Sequence, residues 1–378
     1  MTNLITIGVV ILSLTSWPLL FALSQLSCMK NERNVFIAAT SCILAAFVGT
    51  FLLFRRYYRN IDPVMYVFSI FCFDAVSGLG NILEVDGYFQ LQSTNWTQID
   101  PYLKTAHGTV SLYWNGIVHF LLCLLAIYLY TQRYSHREVS LYWAGSLLNN
   151  MIVLLPVYLI GSNAIRTSTF GNIIHLLLAI GVLFYYFHNS PSQARTFLKF
   201  SPIWKRPVDF FFIIFFLLAT IVAVFRGLAI LGASPKCMTD YLKLYEPYLT
   251  DPSNFPKFQA LTYQYIYVIY YLFAIYGLLH PGQHWMADWS LIHAGAAAQA
   301  QFSYIAGSLH HRTAANLHPP LSGTIAPYFW GINIAFLVIP QLFALWCRLD
   351  DEHFGRSYTV ELSTPITSRP LRPEKKSQ

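Results

Sequence analysis

Asp74, Glu84, Asp86, Asn115 and His119 lie within or beside apolar stretches in the first half of this 378-residue chain. Arg226, Gln264, His293, Gln299, Gln301 and Asn333 do so in the second half, with His310 and His311 at a rim. A charged side chain at the centre of a hydrocarbon layer costs about 2.5 to 3.5 kcal/mol on insertion scales, so each one asks for a reason. Facing a common hollow, such groups could pass protons: moving a carbon–carbon double bond needs an acid to protonate one carbon and a base to deprotonate another. Amides such as Gln264 and Asn333 can orient a hydroxyl but cannot serve as that acid at neutral pH. The plainer reading is that these groups join helices, at about 0.6 kcal/mol per hydrogen bond. Both readings stand for the lone Asn and Gln residues. For Asp74, Asp86 and Arg226 a lined hollow is favoured, because a charge needs a partner or water.

Other chemistries lack support. His284 and Asp288 stand four apart, and His310, His311 and His318 share one loop, but neither grouping has the spacing of a known metal site. The chain has no Gly-rich phosphate loop, no Gly-x-Ser-x-Gly elbow and no thiol redox pair, so neither metal nor cofactor is expected. Tyr263, Tyr265, Tyr267, Tyr270 and Tyr271 suit the headgroup level, and equally the wall of a site for a flat polycyclic ligand. Gly295 within Ala294 to Ala298 reads as a small-residue helix contact.

The elements that must carry these residues follow from composition. Hydrophobic residues make up 55% of the chain and charged residues 11%, too few charges to cover a soluble particle of this length. Ten apolar stretches are long enough to cross a bilayer, at 5–27, 35–54, 63–83, 110–130, 141–161, 170–187, 208–231, 260–279, 290–309 and 325–347. Runs of this length satisfy their backbone as helices rather than barrel strands. The first lacks a basic n-region and is too long for a removable signal, so it stays as a helix. With the N-terminus in the cytosol, the cytosolic side receives fifteen basic residues against eight on the other, as the positive-inside bias requires. The same topology puts the sequon at Asn95 in the lumen and the C-terminus in the cytosol. There Lys375 and Lys376 match the dilysine signal read by retrieval coats, although a merely basic tail is the alternative. The net charge of +7 is scattered beside spans and not gathered into a groove, so nucleic acid is not an expected partner.

Part of the sequence occurs twice. Asp100-Pro101-Tyr102-Leu103 returns as Glu246-Pro247-Tyr248-Leu249, Trp143 as Trp289, and Gly161-Ser162 with Arg166-Thr167 as Gly307-Ser308 with Arg312-Thr313, all at an offset of 146. Pro63-Val64 matches Pro207-Val208 after a two-residue indel. The expected fold is an all-α polytopic membrane protein of about ten helices, with two leading helices and two parallel four-helix repeats. Its parts are leading helices over 1–60, a first repeat over 61–188, a cytosolic linker over 189–206, a second repeat over 207–348 and a cytosolic tail over 349–378.

At Asp100 to Gly108, Tyr113 to His119, Phe225 to Leu228, Tyr245 to Pro252 and Ala300 to Ser303, the chain resembles the transmembrane 6 superfamily across nearly its whole length. That resemblance implies tandem EXPERA domains, related to emopamil-binding sterol isomerases and the sigma-2 receptor. It also implies residence in the endoplasmic reticulum and adjoining secretory compartments, a part in neutral-lipid and lipoprotein metabolism, and lipid-assembly partners. The polar residues within the spans and this resemblance together suggest a ligand-binding set of Asp74, Asp86, Asn115, His119, Arg226, Gln264, Gln301, Asn333 and Phe336. In the isomerases a His and a Glu four residues later transfer the proton. Here Ile82 and Asp86 hold those places in the first repeat, and Arg226 and Ile230 in the second. Asn115 and Gln264 stand where a further carboxylate is usual, which leaves Asp86 as the one catalytic candidate. A sterol or neutral-lipid handler is therefore expected, with an active isomerase, a transporter or a scaffold as alternatives.

Overall fold

The computed structural model describes residues 3–58, 60–88, 101–160, 167–189, 193–194, 202–280, 282–354 and 357–358. Asn95, Lys375 and Lys376 lie outside them. The described chain is helical apart from a two-residue antiparallel pairing of Gln193–Ala194 with Ser357–Tyr358. In chain order the helices are α1 (Asn3–Leu14), α2 (Ser16–Ser24), α3 (Glu32–Tyr57), α4 (Pro63–Val85), α5 (Ala106–Trp114), α6 (Phe120–Thr131), α7 (Arg137–Ile160), α8 (Thr167–His188), α9 (Pro207–Ile230), α10 (Lys236–Leu244), α11 (Phe255–Thr262), α12 (Val268–Leu279), α13 (Met286–Leu309), α14 (Ala326–Leu349) and α15 (Asp351–Phe354).

Local sequence explains the boundaries. Pro63 and Pro207 open α4 and α9, where the missing N–H costs nothing, and the Asp62 side chain accepts from Val64 N at 2.9 Å. Thr105 caps α5 by accepting from Gly108 N at 3.0 Å. Both acid-Pro-Tyr-Leu segments form 3₁₀ turns, Pro101–Lys104 and Pro247–Thr250. Each leads to a helix interrupted by a π turn, Asn115–His119 between α5 and α6 and Tyr263–Tyr267 between α11 and α12. A π turn costs hydrogen-bond geometry and gathers at functional positions, so its appearance at matching places is a strong local likeness.

Eight helices among the described residues are long and apolar enough to cross a membrane, where ten spans were expected. The other two expected spans fall on 255–279, which is helical throughout, and on α13. Repeated tyrosines dilute the first, and His293, Gln299 and Gln301 dilute the second. Polar groups are tolerated in α13 because Ser290, His293, Gln299, Gln301 and Ser303 are all buried in protein. Elsewhere large apolar residues face outward, Leu218 at 57% and Ile221 at 64% exposure on α9 among them, as a lipid solvent requires.

α1, α2 and α3 pack on α4. α7 and α13 make the main contact between the halves, and the reason is steric. A Cβ on Gly145 of α7 would overlap the carbonyl of Ile292, and one on Gly295 of α13 would overlap that of Tyr142. The two backbones touch through reciprocal glycines, which is the small-residue contact expected at Gly295. Gly181 of α8 meets nothing within 4 Å. Gly181→Ala is accordingly expected to leave stability unchanged or to raise it by up to about 1 kcal/mol of helix propensity, read as an unchanged or slightly higher melting temperature.

Candidate functional site

The second half gathers its polar residues beneath the Glu246-Pro247 turn. Arg226, near the end of α9, donates through Nη2 to Glu246 and to Asn333 Oδ1 at 3.2 Å, and through Nε to the Tyr241 hydroxyl at 3.1 Å. Glu246 also accepts from Asn333 Nδ2 and Tyr304 OH, each at 3.2 Å. The Arg226 guanidinium lies 5.5 Å from the Phe336 ring centre and 6.0 Å from that of Tyr304. Burial pushes the Tyr241 phenol up to about 12, against the pull of Arg226 and with the push of Glu246. Gln301 donates to Tyr263 OH at 2.7 Å, and Gln264 lies against α9 only because Gly227 has no side chain there. The expected residues Arg226, Gln301, Asn333 and Phe336 are thus brought together, but by bonding to one another. The void among Arg226, Gln259, Tyr263, Gln301, Tyr304 and Phe336 measures about 10 Å³, enough for one water. Sites for sterol-sized ligands run to about 300–1,000 Å³, so an open hollow of that kind is not found here.

The first half disperses its expected residues. His119 shares a hydrogen bond with Ser146 Oγ at 2.8 Å and accepts from Trp114 at 3.3 Å, in a sealed position. Asn115 holds a buried oxygen with no partner. Asp86 closes α4 and reaches the other half: its Oδ1 accepts from Arg312 at 2.5 Å and its Oδ2 from Tyr113 at 2.6 Å. Arg312 further donates to Leu103 O at 2.8 Å and to Thr109 Oγ1, clasping the halves at the rim. His310 and His311 stand beside it, and with Asp86 they bring possible ligand atoms within 4.8 Å of one another. Burial, then His311 and Arg312, lowers the His310 pKa, and both Asp86 oxygens already accept. Asp86 is thus held by Arg312 and Tyr113, and Ile82 fills the place where the isomerases carry their His. A double-mutant cycle of Asp86→Asn with Arg312→Gln is expected to give a coupling of about 1–3 kcal/mol in melting free energy; a value near zero would mean the clasp adds nothing.

Asp74 differs from the rest. It sits 3.5 Å from His175 of α8 and keeps 39% of its side chain exposed, in a crevice of about 100 Å³ between α4 and the leading helices. A larger groove of about 560 Å³ lies on the outer face of α12 and the start of α13, walled by Tyr265, Ile269, Tyr270, Phe273, Trp285 and Trp289. Behind Tyr270, stacked on its ring at 4.3 Å between centres, His293 is buried with both nitrogens unpartnered.

Glu246 is the residue that sequence reasoning missed as a site member. The signal was present, since it heads the repeated acid-Pro-Tyr-Leu segment, but nothing in the spacing joined it to Arg226. The Tyr265 to Trp289 groove was foreshadowed by the dense tyrosines.

A family model described as the transmembrane domain of transmembrane 6 superfamily member 2-like proteins matches residues 15–197. The chain is 33% identical over 357 residues to transmembrane 6 superfamily member 2 of Rattus norvegicus, covering 92% of this chain and 94% of that protein. It is 32% identical to the Mus musculus protein of the same name, covering 98% and 97%, and 31% identical to the Homo sapiens one, covering 89% and 91%. No solved structure matches.

Proposed function

This chain belongs to the transmembrane 6 superfamily, and we propose from that premise that it binds and handles sterol or neutral lipid in the endoplasmic reticulum membrane and so regulates lipid metabolism. The observation that carries the reading is the groove on α12 and α13. It is of sterol size, it faces lipid, and its walls are aromatic. A rigid polycycle stacks on such rings with little loss of its own freedom. The site thus lies on the flank of the second EXPERA-like half, and the interior of that half serves as its rigid support. Photoreactive sterol in vesicles containing the full chain should label residues 265–289 above all other lipid-facing helices. Phe273→Ala with Ile269→Ala should reduce that labelling severalfold. Even labelling of every outward face would sink the reading.

The excess of basic residues on one side, fifteen against eight, supports a topology with both termini in the cytosol, the Asn95 sequon in the lumen and a retrieval coat engaging Lys375 and Lys376. Replacing both lysines by alanine is expected to move the protein forward into later secretory compartments, read by glycan processing at Asn95. Unchanged retention would remove the tail from the account.

A further inference from the structure

Ser16, Ser24, Asp74, Ser77 and Asn81 line one crevice whose walls are otherwise apolar, among them Leu20 and Phe73. Two features set it apart from ordinary packing. Ser16 Oγ and Asn81 Oδ1 are buried there without a hydrogen-bond partner, and Ser16 is 1% exposed. A buried oxygen without a partner is a standing penalty unless something supplies a donor. Asp74 adds a partly exposed carboxylate, and it lies eleven residues into α4, about 16 Å along the helix axis and so near the middle of the bilayer. Water rarely reaches that depth from bulk, whereas neutral lipids do. The crevice therefore offers acceptors beside apolar walls, from mid-membrane depth at Asp74 to about two helical turns further along α4 at Asn81.

We infer that this crevice seats the free hydroxyl of a neutral lipid, such as a diacylglycerol or an unesterified sterol, and discriminates against the fully esterified counterpart. The discrimination is chemical. A triacylglycerol or sterol ester carries only acceptors and would face Asp74 and Asn81 Oδ1 with no donor to give. A hydroxyl donates to one of them and accepts from Ser16, while its chains stay among α2, α3 and α4 and the surrounding lipid. The volume of about 100 Å³ suits a head rather than a whole lipid. This site is separate from the groove on α12 and α13 and differs from it in carrying Asp74, Ser16 and Asn81, where the groove wall is mainly aromatic.

The test uses the full chain in nanodiscs with diazirine-bearing diacylglycerol or triacylglycerol, and adducts mapped by mass. Diacylglycerol adducts on residues 16–43 and 73–81 should exceed triacylglycerol adducts roughly tenfold, as one charge-assisted hydrogen bond implies. Ser16→Ala with Asp74→Leu and Asn81→Leu, which removes the charged acceptor together with both unsatisfied oxygens, should bring that ratio near one. Leu20→Trp, which fills the crevice and leaves its polar groups intact, should abolish both signals. Equal labelling by the two lipids, as a water-filled crevice would give, overturns the inference. So does diacylglycerol labelling confined to residues 265–289, an outcome that leaves the groove reading standing.

Discussion

Glu246→Ala should unfold the second half more readily than any other single truncation, lowering stability by about 3–5 kcal/mol. The carboxylate is 1% exposed and is the direct counter-charge of Arg226, itself 5% exposed. Removing it leaves a guanidinium in a protein interior with Asn333 and Tyr241 as its hydrogen-bond acceptors and the rings of Phe336 and Tyr304 beside it. Desolvation of an unpaired charge outweighs what two neutral acceptors return. The measurement is denaturation of the full chain in detergent. Arg226→Met combined with Glu246→Leu is the telling companion, because replacing both charges by apolar groups of similar size should recover most of the loss. A single Glu246→Ala variant that melts within 1 kcal/mol of the parent, on the scale of an exposed ion pair, would show that the pair is solvated and that the cluster is not the rigid support inferred for it.

Gly295→Leu is the second large effect. The added side chain begins inside the carbonyl of Tyr142, and a backbone atom cannot rotate away as a side-chain terminus can. α7 and α13 must separate, which also stretches the bond that Asn149 donates to Gln299 and the 2.5 Å bond that it accepts from Tyr267. Overpacking costs about 1–3 kcal/mol where side chains can yield, and the loss here should exceed that range because they cannot. Gly145→Leu meets Ile292 in the same way and should match it. Gly277→Ala meets only the flexible Met286 thioether and should be far milder. The readout is the yield of monodisperse protein and its melting temperature, and parity between Gly295→Leu and Gly277→Ala would refute the reciprocal contact.

Sequence alone determined the class of this protein. A chain this apolar with so few charges has no soluble solution, and long apolar runs can satisfy their backbones in lipid only as helices. It also marked the family through the motifs around Asp100, Glu246 and Arg226, and it marked Gly295 as a contact, since small residues in hydrocarbon have few other uses. Which polar groups meet was decided by tertiary structure. Asp86 and Arg312 are 226 positions apart and Arg226 and Asn333 are 107 apart, and no local period relates them. The second half is sealed by the bonds among Arg226, Glu246 and Asn333, and the opening beside Asp74 is left where α2, α3 and α4 meet. Composition and periodicity fix which face of a helix is apolar, but whether a buried polar group is met by a partner or by space depends on which other helix lies against it.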